Sequence, residues 1–231
     1  MKRWLSIAVV ALACLPPLGS ARGDVSLGWN DVGPAMTGTQ TFDCGTNEGA
    51  DTLVAAFRAP GGVTKLLMME AVVDFCAGPT GLPEWWRFDG CRAGALSATT
   101  TMGPLQVYFG DYWQGRGDVD VDFSLLLANT GRIVVTITLD PEEAGPLQGS
   151  SWYYAFRLVF DHRKTVGQDA CDECERPACF VLNDVRLVWP EGETRLHNDF
   201  NGVSWQSPLL GCPFIVPVEP STWSGIKTLF D

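Results

Sequence analysis

Only two histidines, His162 and His197, occur in the chain, and that scarcity closes off much of hydrolytic chemistry. Acyl transfer by a nucleophile and an imidazole base needs a histidine with an orienting partner, and neither residue has a neighbour that reads as one. The zinc-protease pattern H-E-x-x-H is absent, as is G-x-S-x-G, the turn that exposes a nucleophilic serine. Positive charge is scarce too: 16 Lys and Arg stand against 27 Asp and Glu, for a net charge of −11. Such a surface, with no Lys/Arg stripe, repels phosphate, so nucleic acid is not an expected partner. No apolar run reaches the roughly 20 residues that a membrane-spanning helix needs. A sustained helical period is missing as well. These absences predict a non-enzymatic protein with no cofactor, no metal and no transmembrane segment.

The N-terminus reads as a secretory signal. Lys2 and Arg3 supply its positive start, Leu5 to Leu15 its short apolar stretch, and Gly19-Ser20-Ala21 a small-x-small cleavage pattern. Cleavage after Ala21 leaves Arg22 to Asp231, outside the cytoplasm or at the cell surface. Cys14 opens a lipoprotein alternative, but Ala11 stands where the lipidation pattern wants Leu.

Alternation dominates the mature chain. In "GRIVVTITL", Ile133, Val135, Ile137 and Leu139 share one face. In "SSWYYAFRLVF", Trp152, Tyr154, Phe156, Leu158 and Phe160 do the same. "VTKLLMMEAVVDF" sets Met69, Ala71, Val73 and Phe75 against Glu70 and Asp74, and "DVDVDFSLLL" sets Val119, Val121 and Phe123 against Asp118, Asp120 and Asp122. Period two with one polar face predicts antiparallel sheets packed face to face. Shorter strands are expected at Val25–Trp29, Thr39–Asp43, Leu53–Arg58, Leu105–Tyr112, Phe180–Trp189, Val203–Gln206 and Phe214–Val218, punctuated by Gly and Pro turns. The expected fold is all-β: one jelly-roll-like antiparallel β-sandwich over 22–219. A tail over 220–231 completes the chain, with a short helix capped by Ser221. Gly78 to Thr101 reads as a long loop.

Seven cysteines lie beyond the signal. In an exported chain clustered cysteines pair as disulfides by default. Cys44, Cys91, Cys171, Cys174 and Cys179 are the disulfide candidates, and Cys76 or Cys212, each among apolar neighbours, is the leftover thiol. A zinc site at Cys171, Cys174 and Cys179 lacks a fourth ligand at suitable spacing. A redox C-x-x-C would open a helix, whereas this one sits in an acidic loop.

Two features carry binding chemistry. Trp85-Trp86 lies in the long loop, and with Tyr108, Tyr112 and Trp113 could form an aromatic platform that stacks on sugar rings. The ligand-binding candidates are therefore Trp85, Trp86, Tyr112 and Trp113; the opposing reading makes the loop a hydrophobic plug over one end of the sandwich. Asp118 and Asp120, roughly 6.6 Å apart along a strand, fit a cation site or, with Glu84 as another carboxylate, a hydrolase. The plainer reading of Asp118, Asp120 and Asp122 is a solvated strand face. Arg22-Gly23-Asp24 and Arg116-Gly117-Asp118 match an integrin-binding tripeptide by composition alone.

The segments "LPEWWRFDGCR", "SSWYYAFRLVF", "CDECERPACFVLNDVRL" and "STWSGIKTLF" resemble a group of uncharacterised secreted proteins of uncultured bacteria. That resemblance covers most of the mature chain and implies export; no activity is established for the group, so it assigns no site residue. More loosely, "FVLNDVRLVW" is similar to the closing strand of jelly-roll carbohydrate-binding modules, with Asn183 in place of the first Asp of their pattern. The tail resembles C-terminal segments of other exported proteins of such bacteria, which implies sorting or docking. The expected partner is a glycan or another envelope component. The alternative is a structural or interaction protein with no small ligand, and a carboxylate-dependent secreted hydrolase stands third.

Overall fold

The computed structural model describes residues 24–30, 38–78, 81–103, 109–197 and 202–207. The expected signal, the strand at Phe214–Val218 and the tail lie outside the described residues. Within them two sheets face each other. The smaller holds β1 (Val25–Trp29), β3 (Ala50–Arg58), β8 (Trp152–Asp161) and β5 (Leu96–Thr99) in the order β1-β3-β8-β5. The larger, seven-stranded sheet runs β2 (Thr39–Gln40), β11 (Gly202–Trp205), β9 (Ala178–Trp189), β4 (Met68–Cys76), β7 (Thr130–Thr138) and β6 (Asp118–Leu127). Its seventh strand, β10 (Gly192–His197), shares one edge of β9 with β11. The expected all-β sandwich is therefore present. Its named strand pairs are antiparallel except for a short parallel pairing of β2 with β11.

The alternating apolar residues build the core. On β4, Met69, Ala71, Val73 and Phe75 have no exposed surface, and they meet Ile133, Val135 and Ile137 of β7 on one side. On the other side β9 contributes Phe180, Leu182, Val185 and Leu187, equally buried. The spacing of that last set changes phase because the register slips between Val72 and Val73, leaving Asn183 as an extra residue opposite β4. A bulge of this kind turns the rest of a strand so that the apolar residues beyond it still point inward. At Gly131 the core closes so tightly that a Cβ would lie 2.5 Å from the Phe75 ring.

Several strand boundaries differ from expectation. The stretch read as a loop from Gly78 to Thr101 contains a 3-10 turn at Glu84–Trp86 and strand β5. β10 is an addition to the expected strands, because "GETRLH" has no apolar alternation; it joins β9 in an antiparallel ladder flanked by the ion pairs of Arg186 with Glu193 and Arg195 with Asp184. The expected strand at Leu105–Tyr112 lies partly outside the described residues, and Gly110 makes only an isolated bridge to Tyr153.

Candidate binding surface

The indoles expected to form a ligand platform are inside the protein. Trp85, Trp86 and Trp113 have no exposed surface, so none can stack on a sugar. The reason lies in the 3-10 turn that follows Pro83 and points both adjacent rings inward. Trp85 stacks on Trp205 with ring centroids 5.1 Å apart and donates from Nε1 to Thr165 Oγ1 at 3.1 Å. Trp86 stands nearly perpendicular to Trp85, Trp205 and Phe160, which sets ring edges against ring faces. Tyr112 is half-buried and acts as a strut: its hydroxyl donates to the Leu66 carbonyl at 2.8 Å and accepts from the Gly145 N–H at 2.9 Å. Tyr108 lies outside the described residues. The Trp-rich loop is the plug of the two readings, and the platform assigned to Trp85, Trp86, Tyr112 and Trp113 is corrected accordingly.

Sulfur fastens this plug. Cys91 pairs with Cys171, and Cys44 with Cys174; Cys179 is disulfide-bonded as well. One acidic loop, 171–174, thus ties down both the tryptophan loop and the segment before β3. Cys76 is the buried free thiol, and burial pushes it above the ordinary thiol range. Cys212 lies outside the described residues. Beside the plug, the Arg92 guanidinium is wholly buried 3.7 Å over the Trp85 ring and donates to the carbonyls of Trp85 and Asp161. Desolvation pushes it down to about 9.

His162 has the orienting partner that its sequence neighbours do not suggest. Nε2 faces the Asp51 carboxylate at 2.9 Å, Nδ1 faces the Glu48 carbonyl at 2.9 Å, and Phe42 covers the ring. With both nitrogens engaged and 6% of the side chain exposed, this pair is a clasp between β3 and the end of β8.

The outward face of the larger sheet is polar and interlocked. Asp74 of β4 accepts two hydrogen bonds from Arg132 of β7, at 2.7 and 2.8 Å, and a third from Asn183 at 2.7 Å. Asp184 pairs with Arg195, and Arg186 with Glu193, across β9 and β10. Asp118, Asp120 and Asp122 are exposed along β6, in line with the solvated reading. Among the described residues no three His, Cys, Asp or Glu side chains are grouped to hold a metal ion. Glu84 is exposed in the 3-10 turn. In the second Arg-Gly-Asp, Arg116 is folded back onto the carbonyls of Trp113, Glu143 and Tyr112 rather than presented. No described helix is long and apolar enough to cross a membrane.

No family model matches the chain, and no curated protein matches it. Among solved structures it is similar to a cohesin module from a Clostridium perfringens family 33 glycoside hydrolase. That match has 10% identity and a TM-score of 0.35, covering 79% of this chain and 94% of that one. It is also similar to the second type II cohesin module of the adaptor scaffoldin ScaA from Acetivibrio cellulolyticus, at 10% identity and a TM-score of 0.37, with 90% and 98% covered.

Proposed function

We propose that the chain is an exported, non-enzymatic interaction protein of the cell envelope or matrix. It binds a macromolecular partner through the surface of its larger sheet. The observation that carries this reading is the complete burial of Trp85, Trp86 and Trp113 together with the charge-paired outer sheet face. The indoles are spent on the core, and on the outer face of the larger sheet charges are held in place by pairing between neighbouring strands. The disulfides support an oxidising compartment, since bridges of this kind do not persist among cytosolic reductants.

Expression of the full chain in its export-competent host tests the proposal. Mature protein should be recovered outside the cytoplasm, starting near Arg22, with Cys76 labelled by a thiol reagent only after unfolding. A polysaccharide panel should show no retention. Retention that survives in Trp85→Phe and disappears on charge removal at Arg195 and Arg186 would instead favour a glycan held on the sheet face. Reduced, cytoplasmic protein with an intact leader would overturn the export reading.

A further inference from the structure

β6 is the terminal strand of the larger sheet and is ten residues long. It pairs with β7 along one edge. Along the other edge its backbone N–H and C=O groups make no hydrogen bond among the described residues. β5 lies across that side of the sandwich, near β6 but not hydrogen-bonded to it. An open edge of this length is a template for another strand, and proteins normally blunt it with Lys, Pro or a covering segment. β6 has no Lys and no Pro. Its outer face carries Asp118, Asp120 and Asp122, all exposed; towards the C-terminal end of the strand Leu125, which follows Phe123 on the opposite face, and Leu127, beyond a register shift, are 40% and 64% exposed. Those leucines are two of the three large hydrophobic residues exposed among the described residues.

We infer that the open edge of β6 accepts an extended, basic segment of a partner protein by strand addition. Main-chain hydrogen bonds supply the affinity in this mode and alternate side chains the choice of partner. A partner residue opposite each aspartate comes within about 5 Å, Cβ to Cβ, where opposite charges stabilise and like charges destabilise. Lys or Arg at every second position therefore answers Asp118, Asp120 and Asp122, with apolar residues beside Leu125 and Leu127. A second copy of this chain answers the aspartates less well, because antiparallel pairing along the full strand sets the acidic half of one β6 opposite the Phe123–Leu127 half of the other and supplies no counter-charge. The inference rests on the proposed interaction role and names the kind of partner.

The test uses the full mature protein and a fluorescent nonapeptide alternating Lys with Val over one half and ending in apolar residues. Anisotropy should report binding that weakens at least tenfold from about 20 mM to about 500 mM salt. Binding should also weaken at least tenfold in Asp118→Asn/Asp120→Asn/Asp122→Asn, a variant whose surface changes leave the core intact. Hydrogen exchange should slow in 118–127 and not in β4. A peptide N-methylated at the amides facing β6 should lose binding although its charge is unchanged. Equal binding by that peptide, by an isomer with its lysines in one block, or without protection of β6 would overturn strand addition. Exported, disulfide-bonded protein that ignores the peptide sinks this inference alone; reduced cytoplasmic protein that binds it sinks the export reading alone.

Discussion

Asp74 lies on the outer face of a sheet and yet has almost no exposed surface, because Arg132 and Asn183 lie over it from both flanking strands. A carboxylate that deeply desolvated is tolerated only while its partners remain. Asp74→Ala leaves the Arg132 guanidinium half-buried without its counter-charge, and the expected loss is about 3 kcal/mol. Arg132→Met made together with Asp74→Leu should cost clearly less than the two single changes combined; urea denaturation of the four proteins gives the coupling. Trp86→Ala, which empties a site walled by Trp85, Trp205, Phe160 and Phe180, should cost about 3–5 kcal/mol by the same measurement. Tyr154 sets an alkaline limit. Burial raises its phenol well above the usual range, so the unfolded chain releases that proton first. The stability it contributes is complete below about pH 10 and is lost as pH rises from there, at up to about 1.4 kcal/mol per pH unit. The Cys76 thiol acts in the same direction, while Arg92, pushed down to about 9, opposes both above that pH. Tyr154→Phe should therefore flatten the alkaline fall of the urea midpoint, at the cost of the hydroxyl's bond to the Thr99 carbonyl.

At the scale of elements, the smallest residue guards the tightest contact. Gly131 on β7 faces the Phe75 and Phe123 rings, and both are too close for a methyl group. Gly131→Ala should destabilise the protein by about 1–3 kcal/mol through displaced rings rather than through backbone strain, and a lowered denaturation midpoint with an unchanged slope would record it. Elements with apolar alternation are legible in the sequence: β1 begins and ends where "VSLGW" does, and β4, β6, β7 and β8 follow their apolar stripes. β5 and β10 are not, because four residues in one case and charged cross-strand pairs in the other leave no periodic mark. The adjacent tryptophans are ambiguous for a related reason. Two neighbours on a strand point to opposite faces, and only the 3-10 turn, a local departure that Pro83 permits, sends both indoles inward. Partners such as Asp51 with His162 stand 111 positions apart, and sequence proximity carries no information about them.

For the whole molecule, the two bridges with both ends among the described residues span 130 and 80 positions, one nested inside the other. Loops that long restrict the unfolded chain strongly, so Cys91→Ser/Cys171→Ser should lower stability by about 2–4 kcal/mol, a fall of roughly 4–16 °C in Tm. Differential scanning calorimetry under non-reducing conditions measures it. The nesting has a further effect on durability. A protease that cuts one peptide bond anywhere between Cys44 and Cys174 produces two pieces that stay covalently joined, since at least one bridge crosses every such cut. Nicked protein should run as a single species until a reductant is added. In surroundings full of hydrolytic enzymes, a surface lesion then becomes a scar instead of a loss.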